Sequence, residues 1–138
     1  MAKSIIIDSC FWFALFDNRD PYHEDAMLFY EYIVPHTLVL PWPTLYEALN
    51  TRFSRRRASV ERFYSIIRTH STYLVPDNEY RDISLEYFFN QRRPFSLVDI
   101  VIRNIILDES IKIDAIVTFN EADFIDICSK RGIELFNG

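Results

Sequence analysis

The sequence predicts a parallel-sheet α/β sandwich in a single domain, with helices on both faces of the sheet. Three observations carry that reading. Short, nearly continuous apolar runs alternate with longer segments of helical periodicity, the pattern of strands covered on both sides and joined by crossover helices. The 138 residues fall within the size of one domain, and 49% apolar with 16% aromatic content supplies material for a core. Only two glycines and six dispersed prolines occur, so no flexible linker, repeat or low-complexity stretch divides residues 1–138.

The first strand is read over 4–7, an isoleucine-rich run that ends at Asp8, and a helix over 10–16 follows it. Over 22–33, Ala26, Met27, Phe29, Tyr30 and Ile33 fall at helical spacing while Glu24, Asp25 and Glu31 take the other side. Pro21 suits the first turn of that helix and Pro35 its stop. A second strand is expected over 37–40, then helices over 44–54 and 59–69, and a weaker strand over 73–75. Helices over 78–90 and 96–108 lead to a strand over 115–119. The last helix, 121–130, is closed by Lys130, Arg131 and Gly132, a basic last turn followed by the residue that most easily adopts a left-handed cap. Residues 134–136 are expected as an edge strand.

The formal charge of −5 excludes a general nucleic-acid coat protein, which gains affinity from a broad basic surface. A local basic strip remains open: twelve of the fifteen basic residues are arginines, and Arg52, Arg55, Arg56 and Arg57 fall together. They are either a solvated helix end and loop or a phosphate-contacting, RNA-binding patch. Cys10 and Cys128 form no C-x-x-C pair and have no histidine cluster beside them, so they read as reduced core thiols. The start of the chain is too short in apolar residues for a signal peptide, and no apolar run reaches membrane-spanning length. A cytoplasmic protein without a membrane partner is the expectation.

In open parallel sheets ligands bind at the carboxyl ends of the strands. Four acids are expected there: Asp8 after the first strand, Glu47 three residues after Thr44, Asp99 three after Ser96, and Asp123 three after Asn120. Each of the last three pairs also matches a helix N-cap with an acid at the third helical position. Caps alone do not explain why acids from four distant segments meet on one edge, where right-handed crossovers bring strand ends and helix starts together. Carboxylates packed together repel, and a divalent cation with a preference for oxygen ligands removes the penalty. Such a cluster suits metal-assisted phosphodiester hydrolysis and needs no general-base histidine. His23 and His36 flank a helix and His70 ends another, all three reading as surface residues. Ser9, Asn50 and Thr118 are candidates to orient ligands or water, or to satisfy nearby backbone. Phe11, Trp12, Phe13 and Trp42 could stack on bases; core packing accounts better for most of them, with Trp42, between two prolines, left open.

The chain resembles the PIN-domain family over nearly its full length, and in particular the VapC-type toxins of toxin–antitoxin pairs. The residues that carry the likeness are Ile5-Ile6-Ile7-Asp8-Ser9, Pro43-Thr44-Leu45-Tyr46-Glu47-Ala48-Leu49-Asn50, Ser96-Leu97-Val98-Asp99 and Ile116-Val117-Thr118-Phe119-Asn120-Glu121-Ala122-Asp123-Phe124. The resemblance implies a PIN-like fold whose acidic pocket binds one or two Mg²⁺ or Mn²⁺ ions. Asp8, Glu47 and Asp99 would be its principal catalytic and metal-binding acids, with Asp123 as the fourth and Ser9 and Thr118 as the pocket's small hydroxyls. It further implies a metal-dependent endoribonuclease that hydrolyses RNA phosphodiester bonds, a small antitoxin partner and a homodimer, for which the helices over 22–33 and 59–69 offer apolar faces. Two departures stand out. Asn120 occupies a position where many relatives carry Asp, which leaves the last carboxylate to Asp123 or, as the second choice, Glu121, and the helix after Asp99 opens with the bulky Ile100, Ile102, Arg103 and Asn104.

The main alternative is a catalytically silent PIN-like module that binds RNA or protein, its acids kept as helix caps. An aspartyl-phosphate enzyme would want a second acid two residues beyond Asp8, where Cys10 stands. Two glycines cannot build a P-loop or dinucleotide loop.

Overall fold

Strands β1 (Ser4–Ile7), β2 (Thr37–Pro41), β3 (Thr72–Val75), β4 (Ala115–Val117) and β5 (Glu134–Phe136) form a parallel sheet in the order β3-β2-β1-β4-β5. The chain is seen in a computed structural model that describes residues 2–69 and 71–136, so His70 lies outside the described residues. The strand order reverses direction at β1, which pairs with β2 on one side and β4 on the other. That reversal opens a crevice at the carboxyl ends of β1 and β4.

The pleat of β1 divides the interior in two. Ile5 and Ile7 join one core with α1 (Ser9–Phe16), α2 (His23–Ile33), α3 (Trp42–Ala48) and α5 (Arg57–Thr69). Ile6 joins the other, built largely by α7 (Leu97–Leu107) and α8 (Ile125–Arg131). Helices therefore cover both faces, which is why the strands read as unbroken apolar runs. The first core is aromatic: Trp12 stacks on Phe63 at 4.6 Å and meets Phe11 edge-on at 5.1 Å. The second is aliphatic around Val101, Ile102, Ile105 and Ile106. α6 (Arg81–Asn90) completes this side, with Ile83 and Phe89 exposed.

Several boundaries differ from the sequence reading. The helix expected over 44–54 is two, α3 and α4 (Thr51–Ser54), because Asn50 leaves the helical backbone and its side chain accepts from Phe53 N at 3.0 Å to cap the second piece. α3 begins at Trp42, with Pro41 at the N-cap position and no side-chain cap, so Thr44 sits inside the helix and its hydroxyl donates to the Pro41 carbonyl at 2.6 Å. The expected Thr44 cap does not form. Nor does Asn120 cap through its side chain: Glu121–Asp123 is a 3-10 turn, and α8 starts only at Ile125. Pro21 precedes α2 rather than opening it, and α6 starts at Arg81 rather than at residue 78. By contrast, Ser96 caps α7 by accepting from Asp99 N at 3.0 Å, and Gly132 takes the left-handed cap at φ 66°. His36 accepts from Lys3 N at 2.9 Å, and His23 bonds the Ala14 carbonyl at 2.7 Å, so both fasten local structure. Among the described residues no helix is long and apolar enough to cross a membrane.

Candidate active site

Asp8 leaves β1 at the crevice and caps α1. Its backbone N–H donates to Val117 O at 3.1 Å, which continues the β1–β4 ladder one residue beyond the strands. The residue is 3% exposed, and its carboxylate is held on both oxygens. Oδ1 accepts from Ser9 N at 2.8 Å, and Oδ2 accepts from Thr118 Oγ1 at 2.9 Å and from Cys10 Sγ at 3.4 Å. Burial pushes the Asp8 carboxyl up, and these donors, with a weaker contribution from the Asn120 amide, oppose the push.

Glu47 arrives from α3. Ser9 Oγ donates to its Oε1 at 2.7 Å, so one serine joins the first two acids: its N–H to Asp8 and its hydroxyl to Glu47. Partial burial raises the Glu47 carboxyl, and the Asp8 charge raises it further. Asp99 stands in the first turn of α7, where its own N–H is capped by Ser96. Its carboxyl is pushed up to about 6, first by burial and then by the charges of Asp8, Asp123 and, more weakly, Glu47. Asp123 ends the 3-10 turn after β4, with its side chain 32% exposed and Oδ1 3.8 Å from Arg93. The four acids singled out in the sequence thus lie toward one edge of the sheet, with Asp99 feeling the charge of the other three.

The remaining sequence candidates divide. Ser9 and Thr118 touch the acids directly, whereas Asn50 serves the backbone, donating to Glu47 O at 2.9 Å and capping α4. Asn120 lies at the Thr118 turn, its N–H donating to Thr118 Oγ1 at 3.0 Å. Among the arginines, Arg56 pairs with Asp17 at 3.9 Å and Arg57 with Glu61 at 3.1 Å, while Arg52 and Arg55 have no ion pair among the described residues. Phe13 departs from the core reading: it is 39% exposed, unlike buried Phe11 and Trp12. Trp42 is 38% exposed and leans on Tyr46.

Three site residues escaped the sequence reading. Cys10 is no simple core thiol, since its sulfur touches Asp8 and Thr118 and accepts from Phe119 N at 3.4 Å. Burial and the Asp8 charge push that thiol up to about 12, so it stays protonated and can donate. Arg93 faces Asp123, and Arg103 donates to the Asp123 carbonyl at 2.7 Å while gripping Asp126 with two bonds of 2.8 Å. Their guanidinium groups lie 4.6 and 4.4 Å from the Phe95 ring centroid. Cys10 had a sequence signal in its place two residues after Asp8; the arginines had none.

Among the described residues, no three acid, histidine or cysteine side chains stand ready-formed as a metal shell. The donor chemistry nevertheless fits a hard divalent cation. The acids and hydroxyls supply oxygen ligands, and burial raises three of the carboxyls, with neighbouring acid charge adding to the rise at Glu47 and Asp99, which a cation offsets.

A five-stranded parallel sheet with this strand order and helices on both faces is a PIN-like α/β fold. Among solved structures it is shared by VapC20 of Mycobacterium tuberculosis, a sarcin-ricin loop cleaving toxin. That structure superposes with a TM-score of 0.69 at 18% sequence identity, covering 86% of this chain and 92% of that one. At this identity the likeness is one of fold. No protein-family profile and no curated protein matches the sequence.

Proposed function

We propose that this protein is a metal-dependent endoribonuclease that hydrolyses RNA phosphodiester bonds, acting as the toxin of a toxin–antitoxin pair. The observation that carries the reading is the convergence of Asp8, Glu47, Asp99 and Asp123 on the carboxyl edge of the sheet, with Ser9 bridging the first two. The fold shared with a sarcin-ricin loop cleaving toxin supports RNA as the substrate and, with the sequence resemblance, a small antitoxin and a homodimer as the assembly. The exposed Met27, Leu28 and Tyr32 on α2 offer such a dimer an apolar surface.

Asp8, Glu47, Asp99 and Asp123 would hold Mg²⁺ or Mn²⁺, which when bound polarises a phosphoryl oxygen and lowers the pKa of an attacking water. The chain's own contribution is positioning. Thr118 and Cys10 fix one oxygen of Asp8 and the Ser9 N–H the other, so this carboxylate keeps its orientation without a ligand. Ser9 orients Glu47 toward the same crevice. Asp99, with its carboxyl near 6, exchanges a proton close to neutral pH and is the acid whose ionisation a cation would favour most directly.

The test is cleavage of a mixed RNA substrate with Mg²⁺ or Mn²⁺, with EDTA, and with folded Asp99→Asn. Cutting that needs metal and disappears in the variant is the expected result. No cutting at saturating metal, together with no Mn²⁺ binding by calorimetry, would leave the silent RNA- or protein-binding module as the better account.

A further inference from the structure

Beside the acids lies a trough that the catalytic reading does not use. Its first part, a cavity of about 260 Å³, is walled by Phe13 and Phe53 and rimmed by Asn50 and Arg52. A second cavity of about 560 Å³ shares Phe16, Asp17 and Arg56 with the first and runs on to Arg19 and Arg62. Four arginines therefore line a path that holds only two aspartates, Asp17 and Asp20, on a chain whose net charge is −5. Arg19 and Arg56 share Asp17 at 3.6 and 3.9 Å, while Arg52 and Arg62 have no ion pair among the described residues.

Two neighbours along the chain link the trough to the acids. Asn50, on its rim, bonds the Glu47 carbonyl, and Phe13 stands one turn of α1 beyond Ser9, whose hydroxyl bonds the Glu47 carboxylate. One helical turn is about 5.4 Å, the span of one to two stacked nucleotides at about 3.4 Å each. Phe13 is 39% exposed and stacks on no other ring among the described residues, whereas Trp12, Phe16, Phe53 and Phe63 pack on one another. An outward aromatic ring next to Arg52, which has no ion pair among the described residues, with Arg62 over Phe16 farther along, is the combination that binds single strands: rings take bases and guanidiniums take phosphates.

We propose that this trough seats the single-stranded RNA flanking the scissile bond, with Phe13 stacking on a base next to the cleavage site and Arg52 holding a neighbouring phosphate. The proposal rests on RNA being the substrate and adds where the strand runs. A double-stranded segment is disfavoured, because its bases are already stacked and cannot cover Phe13.

The experiment is binding, read by fluorescence anisotropy in EDTA at low salt so that nothing is cut. The probes are an end-labelled, mixed-sequence single-stranded RNA of about ten nucleotides and an abasic ribose-phosphate oligomer of the same length. The wild type should bind the base-bearing strand more tightly. Phe13→Ala should weaken that binding about ten-fold and leave the abasic oligomer unchanged, since loss of one base–aromatic stack has that size. Phe13→Tyr should restore it, which separates stacking from a folding defect, and Arg52→Gln should weaken both probes and flatten the salt dependence. Unchanged RNA affinity in Phe13→Ala, or a wild type indifferent to bases, would overturn the proposal and leave the trough to another anionic partner, such as an acidic peptide. Metal-dependent cleavage with intact Phe13→Ala binding sinks the trough alone. Phe13-dependent binding without any cleavage sinks the nuclease reading alone.

Discussion

Asp8 and Asp123 both act on Asp99 through their charge and are held in opposite ways. Asp8 is 3% exposed, fastened on both carboxylate oxygens, and continues the central β1–β4 ladder. Asp123 sits in a 3-10 turn with no side-chain cap, is 32% exposed, and has Arg93 at 3.8 Å from its carboxylate. The first acid is oriented by the sheet before any ligand arrives. The second is positioned by a loop and already has a counter-charge. A site built this way has one fixed end and one adjustable end, and the arginines at Phe95 tie down the backbone at the adjustable one.

The sharpest way to break this contrast is to remove each charge in turn. Asp8→Asn is expected to take metal-dependent RNA cleavage to the metal-free background, and Asp123→Asn to leave a reduced but measurable rate. Equal losses in a single-turnover assay would show that the two ends act as one rigid unit. A smaller effect is expected from Thr118→Val, which keeps the buried volume but removes the hydroxyl from Asp8 Oδ2. Loss of such a ligand-orienting bond costs about 10- to 100-fold in metal affinity or activity. Mn²⁺ calorimetry on the variant reads it directly, and unchanged affinity would mean that Cys10 and the Ser9 N–H suffice.

The smallest effect is on stability, and it tests whether the acids between the two ends repel as their environment implies. The folded Asp99 carboxyl is held at about 6, above its ordinary value of 3.8. A group raised in this way contributes its stability fully below the unfolded value and loses it as pH rises through the folded one. In EDTA, Asp99→Asn should therefore melt a few degrees above the wild type at pH 7, the gap closing as pH falls toward 4. Saturating Mn²⁺ should reverse the order at pH 7, because only the wild type gains the ligand. A variant less stable than the wild type in EDTA at every pH would show that Asp99 serves mainly as a helix-start carboxylate.

Much of this architecture was legible in the chain. The isoleucine run before Asp8, the Ser96–Asp99 spacing and Gly132 after a basic turn each encode a local event, and each occurs as read. The errors cluster where a local signal had two outcomes. Thr44, three residues before Glu47, looked like a cap, but Pro41 fixed the helix start earlier and Thr44 turned inward. Asn50 could orient ligands or satisfy local backbone, and it takes the second course, ending one helix and beginning the next. Phe13 looked like core beside Phe11 and Trp12, yet the rotation of α1 turns it outward.

The sequence by itself determined the layered α/β class and most strands and singled out four candidate acids, because hydrophobic periodicity, caps and chain breaks act over a few residues. Only the tertiary structure decided that Ser9 bridges Asp8 to Glu47, that Cys10 donates to Asp8, and that Arg93 and Arg103 meet the Asp123 turn around Phe95. These pairings join residues from different elements, and nothing in the local chain records a partner 20 or 38 positions away. Their geometry is set by how the helices pack against a twisted sheet, which is a property of the whole core.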